Sequence, residues 1–141
     1  MIEKHATAVW NGSLKEGGGT LTSESGTLAD VPYSHATRFA DKKGCNPEEL
    51  IAAAHSSCFA MFLSALMTGA GVVPKSIEAR ATVRMDPTTE GGPTVRESHL
   101  EVTVDAPADE ATIHDFAEKA KVACPISKLL KAEISMDLTV V

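Results

Sequence analysis

Basic charge is in short supply: 13 lysines and arginines stand against 19 aspartates and glutamates, a formal net charge of −6 over 141 residues. A chain of that sign repels phosphate backbones, and no segment clusters enough Lys and Arg to reverse this locally, so nucleic acid is not an expected partner. Cysteine is scarce as well. Three are too few for a secreted disulfide scaffold, and an odd number would strand one thiol in an oxidising compartment. The N-terminus, MIEKHATAVWNG, carries Glu3 and Lys4 where the apolar run of an export signal would begin, so the expected location is the cytoplasm. Internal repeats, low-complexity stretches and the CxxC or HxxxH spacings that anchor metal sites are also missing. What remains, 43% hydrophobic and 23% charged residues, is ordinary globular composition, long enough for a single domain over residues 1–141 with its own core.

Period-two alternation marks a strand from His5 to Trp10, ended by the Asn11-Gly12 turn, and a second from Thr20 to Ser25 after Gly17-Gly18-Gly19. The stretch from Gly26 to Lys43 reads as connecting loop and carries Tyr33, Arg38 and Phe39. Asn46-Pro47-Glu48-Glu49 is a helix start, with Asn as N-cap, Pro at the first helical position and an acid three residues after the cap. The helix should run through Met67 and stop at Gly69 or Gly71. It is apolar nearly all round, which predicts burial at the centre of the fold or between two subunits. His55, Ser56, Ser57 and Ser64 interrupt it, and it falls short of the roughly 20 predominantly apolar residues of a bilayer span, so no membrane is expected.

Ile77 to Met85 and Leu100 to Val104 alternate cleanly around a turn cluster at Asp86-Pro87 to Gly91-Gly92-Pro93 and should pair as an antiparallel hairpin. A helix follows from Ala108 or Asp109, with Ile113, Phe116, Ala117 and Ala120 on one face, and ends before Cys124-Pro125. Ile126 to Lys131 makes another short helix, and Ile134 to Val140 a last strand. The expected class is α+β, with antiparallel sheets around a long buried central helix.

Cys58 lies in the middle of that helix, where a cysteine commonly just packs and where burial would raise its pKa. Reactivity would need a nearby cation, and Arg38, the one arginine upstream of the helix, is the candidate. Cys124 precedes Pro125, where it could cap the short helix with its thiol facing helix amides. His55, three residues before Cys58, could stabilise a thiolate or simply pack. On residues alone packing is the commoner fate of such cysteines, and the two are compatible with a redox pair without demonstrating one.

The segments NPEELIAAAHSSCFAMFLSAL and AKVACPISKLLKAEI, with ATRF upstream, resemble the OsmC/Ohr family over essentially the whole chain. Arg38, placed before the central helix with no arginine upstream of it, resembles the OsmC branch. The resemblance implies an intertwined homodimer that reduces organic hydroperoxides and hydrogen peroxide with Cys58 as attacking thiol and Cys124 as resolving thiol. It also implies that Arg38 and Glu48 assist, that the resulting disulfide is reopened by an external dithiol of lipoyl type, and that no cofactor or metal takes part. Cys45 has no counterpart in that pattern. Phe39, Phe59, Met61 and Phe62 flank the implied site and would line it with apolar surface. Glu48 and Cys58 are ten residues apart on one helix, about 15 Å along its axis, so a site using both implies groups from two chains. The competing class is a non-catalytic dimeric stress protein that binds an apolar small molecule.

Overall fold

Three short strands, β1 (Ala6–Asn11), β2 (Gly18–Ser23) and β3 (Val31–Tyr33), form an antiparallel sheet in that order in the computed structural model, which describes all 141 residues. They belong to the first of two compact units, Met1–Leu50 and Ile51–Val141. Gly18 and Gly19, expected in the turn, are strand residues. Gly19 pairs with Trp10 on one side and Tyr33 on the other. A Cβ there would stand 2.5 Å from the Tyr33 ring and 2.6 Å from the Val9 carbonyl oxygen, so only glycine admits this close approach. The Trp10 and Tyr33 rings then meet at 5.4 Å between centroids.

The stretch expected to be loop contains β3 and a one-turn helix, α1 (His35–Phe39). Ser34 caps it reciprocally: its hydroxyl accepts from the Thr37 amide at 3.3 Å, and its own amide donates to Thr37 Oγ1 at 2.9 Å. Elements of three and five residues are too short to display a period in sequence. The next helix, α2 (Pro47–Gly69), opens as its sequence predicts, with the Glu49 amide donating to Asn46 Oδ1 at 2.8 Å. Glu49 closes the box differently, its carboxylate accepting from Asn46 Nδ2 at 3.4 Å, and the same Nδ2 donates to the Thr37 carbonyl at 3.2 Å, fastening α1 to the start of α2.

In the second unit, α2 buries one stripe, His55, Phe59, Leu63 and Met67, at every fourth residue. The opposite flank is open within the chain, where Ala53, Ser57, Met61 and Ala65 are exposed, Met61 by 75%. The expected shortfall in length is corrected, because the helix has 23 residues and, by length and composition alone, is long and apolar enough to cross a membrane. Its buried stripe packs instead into a protein core with Leu100, Val102, Val104, Ile113, Ala117 and Ala120.

That core rests on a second sheet, β4 (Ser76–Asp86), β5 (Thr94–Asp105) and β6 (Glu133–Val140), with β5 central. The β4–β5 hairpin is antiparallel as predicted, but β5 begins six residues earlier than Leu100. The inward position Ser98 is polar and hides the alternation there. β6 lies parallel to β5, a correction to the expectation of antiparallel sheets throughout. A parallel return needs a crossover, and α3 (Glu110–Ala123) and α4 (Pro125–Leu129) supply it. Asp109 caps α3 by accepting from the Thr112 amide at 2.7 Å.

Candidate active site

The structure brings the four sequence-predicted residues together as two pairs, one in each unit. In the first unit Arg38 sits in the last turn of α1 rather than in a loop. Its guanidinium forks onto Glu48 in the first turn of α2, with Nη2 at 2.8 Å from Oε1 and Nε at 3.2 Å from both carboxylate oxygens. Such a two-pronged, charge-assisted contact fixes the plane of the guanidinium as well as its position. The fork arises because α1 is capped and then tied to Asn46, so the two helix ends lie side by side. The Arg38 side chain stays 37% exposed while that of Glu48 is 14% exposed, which leaves the cation free to meet a further anion. Its guanidinium carbon also lies 5.2 Å from the centroid of the Phe39 ring. Beside it runs a cleft of about 290 Å³ lined by Trp10, Leu14, Tyr33, His35 and Phe39, a mostly apolar wall next to a positive charge.

In the second unit, Cys58 of α2 and Cys124 at the α3–α4 junction bring their sulfurs to 3.1 Å, both as free thiols. A disulfide needs about 2.05 Å, so a closure of about 1 Å would join them. Cys124 is completely buried and Cys58 half-buried. Burial pushes the Cys58 thiol up, and Cys124 adds to this, first through the hydrogen bond between the two thiols and then through repulsion between their charged forms. The polar backbone of Ile126 pulls the other way. The capping role expected of Cys124 is corrected: it occupies the N-cap position of α4, but its thiol accepts no helix amide.

The expected apolar lining of the site changes. Phe59 is fully buried in the core and so is no wall of an open pocket, and Met61 points out on the opposite flank of α2. Phe62 is half-buried against the same core. Cys45 is bridged through its backbone to Tyr33 in a unit that holds no second cysteine, and burial followed by the charge of Glu49 raises its thiol pKa. His55 is fully buried, with Nδ1 2.6 Å from Ser98 Oγ and Nε2 2.8 Å from Ser127 Oγ, so neither ring nitrogen is left for Cys58. Burial lowers its pKa. Sequence reasoning missed both serines; the available signal was that a histidine on the buried stripe of an apolar helix must find hydrogen-bond partners.

A family model described as OsmC-like protein matches residues 40–139. The curated Peroxiredoxin OsmC of Escherichia coli K12 is 44% identical over 137 residues, 96% of this chain and 95% of that protein. The Organic hydroperoxide resistance protein-like 1 of Staphylococcus saprophyticus is 32% identical over 117 residues, 80% of this chain and 78% of that protein. Among solved structures, an organic hydroperoxide resistance protein from Elizabethkingia anophelis superposes with a TM-score of 0.73 at 27% identity, covering 99% of this chain and 96% of that one. The protein OhrB of Bacillus subtilis shares the fold, with a TM-score of 0.71 at 22% identity over 97% of this chain and 98% of that one.

Proposed function

This chain belongs to the OsmC-like protein family, and from that premise we propose that it is a thiol-dependent peroxidase that reduces organic hydroperoxides through Cys58 and Cys124. The observation that supports this most is the 3.1 Å separation of two free cysteine sulfurs that are 66 residues apart in sequence. In the first step the Cys58 thiolate attacks the terminal peroxide oxygen and the O–O bond breaks. Cys58 becomes a sulfenic acid, and the alkoxide takes a proton and leaves as an alcohol, or as water when hydrogen peroxide is the substrate. In the second step the Cys124 thiolate attacks the Cys58 sulfur, the S–O bond breaks, and hydroxide leaves as water. An external dithiol, of lipoyl type, then reduces the disulfide, so the cycle runs on protein sulfur without a bound metal or nucleotide.

Arg38 supplies the positive charge that Cys58 needs, since burial and Cys124 both oppose its ionisation. Glu48 orients Arg38 through the fork. Ten residues of one unbroken helix separate Glu48 from Cys58, about 15 Å along the axis, so in this reading the site draws on two copies of the chain. The exposed flank of Ala53, Met61 and Ala65 is the surface through which α2 would enter such a homodimer. The functional piece is one OsmC-like domain of residues 1–141, acting in the cytoplasm.

Peroxide consumption measured with dihydrolipoamide and, separately, with a thioredoxin system tests the proposal. Turnover is expected with dihydrolipoamide. Thiols that react slowly with electrophiles and never pair on peroxide treatment would instead favour the binding of an apolar molecule in the cleft beside Arg38.

A further inference from the structure

Two contacts join α2 to α4, and they have the same spacing on both sides. His55 and Cys58 are three residues apart on α2, and Cys124 and Ser127 are three apart across the start of α4. On α2 that spacing puts His55 and Cys58 on neighbouring positions of one face, while Cys124 precedes α4 as its N-cap. The sulfurs meet at 3.1 Å, and His55 Nε2 meets Ser127 Oγ at 2.8 Å. On its other side the ring is held by β5, the central strand, through the 2.6 Å contact of Nδ1 with Ser98 Oγ. A continuous line of buried hydrogen bonds thus runs from the sheet through α2 to α4. His55 and Ser98 have no exposure, and Ser127 has 6%.

The segment at the far end of that line needs fastening. α4 has five residues, and Pro125, Lys128 and Leu129 are exposed. Of its apolar side chains, Ile126 alone packs against the core. An apolar residue at position 55 could fill the space, but it would not fix the rotation of α4 about its own axis. An imidazole with both nitrogens engaged has a fixed ring plane, and its neutral form offers one donor and one acceptor, enough for two hydroxyls. Burial keeps His55 in that neutral form near neutral pH.

We propose that His55 is a positioning residue for the resolving step: through Ser98 and Ser127 it sets the rotation of α4 and so holds Cys124 within reach of Cys58. This rests on the two-cysteine reading above. The assisted step is the displacement of hydroxide from the Cys58 sulfenic acid by the Cys124 thiolate. The S–S bond forms as the S–O bond breaks, and the hydroxide takes up a proton to leave as water. The hydroxyl contact lies on the α4 side, so the earlier attack on peroxide feels the change only through the Ile126 backbone beside Cys58 and alters far less than the condensation.

Three variants separate positioning from packing. Ser127→Ala removes only the far hydroxyl. His55→Gln places an amide where Nε2 stands, whereas His55→Asn reaches only the place of Nδ1 and loses the link to α4. Two measurements are made on each: the Cys58–Cys124 equilibrium in a dithiothreitol redox buffer, which needs no peroxide, and single-turnover mixing with peroxide, with the sulfenic acid trapped by a 1,3-dione. Ser127→Ala and His55→Asn are expected to slow condensation by about tenfold to a hundredfold, the scale of a 1 Å misplacement, with peroxide attack changed by less than about twofold. Both should also make the disulfide easier to reduce, while His55→Gln stays near the parent. Unchanged condensation and an unchanged equilibrium in Ser127→Ala would overturn the proposal. So would equal losses in both steps that track the melting temperature, or His55→Gln behaving like His55→Asn. A parent protein that pairs its cysteines in the redox buffer yet consumes no peroxide would remove the peroxidase reading alone, and the buffer arm would still decide the role of His55.

Discussion

Replacing Cys124 with serine should leave one chemical event intact and abolish the next, and a thiol count makes the distinction quantitative. The reduced chain holds three free thiols, of which Cys58 and Cys124 are in contact and Cys45 has no partner in its unit. One equivalent of hydroperoxide without reductant should therefore leave a single titratable thiol in the parent, that of Cys45, and no trappable sulfenic acid. The sulfurs need close by only about 1 Å, so condensation should outrun a millimolar trap. Cys124→Ser starts with two thiols, consumes the same equivalent at a similar first-step rate, and ends with one thiol and a stable sulfenic acid that a 1,3-dione captures. Cys58→Ser should consume none. The serine hydroxyl at position 124 enters a fully buried site, which costs about 1–3 kcal/mol, so the assay is run well below a lowered melting point. Single-turnover consumption by Cys58→Ser, or a parent that keeps all three thiols after peroxide, would refute the assignment. Loss of the disulfide in Cys45→Ser would mean that the wrong cysteines have been paired.

The apolar cleft beside Arg38 predicts that bulky organic hydroperoxides are turned over at least as fast as hydrogen peroxide, and that Phe39→Ala raises KM for the bulky substrates selectively; side-by-side rate constants favouring hydrogen peroxide would remove the argument. Mixing Cys58→Ser chains with Glu48→Gln chains should restore activity at one site of each heterodimer. Recovery no greater than the sum of the parents, with heterodimers confirmed by mass spectrometry, would leave Glu48 as a helix-terminal acid only. Because burial holds the pKa of His55 below its ordinary 6.5, the unfolded chain takes up that proton first as pH falls. His55 therefore contributes its full stability above that value and loses it progressively below. The melting temperature should decline on acidification through this window, and the decline should be shallower in His55→Gln.

Local signals in the sequence carried the elements that depend on local chemistry. Asn46-Pro47-Glu48-Glu49 started α2 where the structure starts it, and Asp109 and Pro125 bounded α3, because caps and prolines act on their immediate neighbours. α1 and β3 escaped because five and three residues carry no period, and their existence rests on the Ser34–Thr37 box and on pairing with β2. The front half of β5 escaped for a different reason. Its inward residue, Ser98, is polar because its partner is His55, 43 positions earlier. At the site, the resemblance supplied the pairs Arg38 with Glu48 and Cys58 with Cys124. No spacing rule reaches across 66 residues, and the structure reports each pair as a contact. Ser127 was hidden by distance in the same way, 72 positions from the ring it holds.

The crossover that returns β6 alongside β5 also orders events during folding. The β4–β5 hairpin closes around a short turn and needs nothing from further along the chain, whereas β6 can dock only after α3 and α4 have wrapped across. Cys124 rides in that wrapping segment, so the two sulfurs meet late, and a nascent chain that has made only α2 and the hairpin presents Cys58 without its partner, with Cys45 as the one other thiol. Competence to form the disulfide is thus acquired with the crossover that brings the last strand back. The moment at which a mild oxidant first links Cys58 to Cys124 during refolding can serve as a clock for completion of the second sheet.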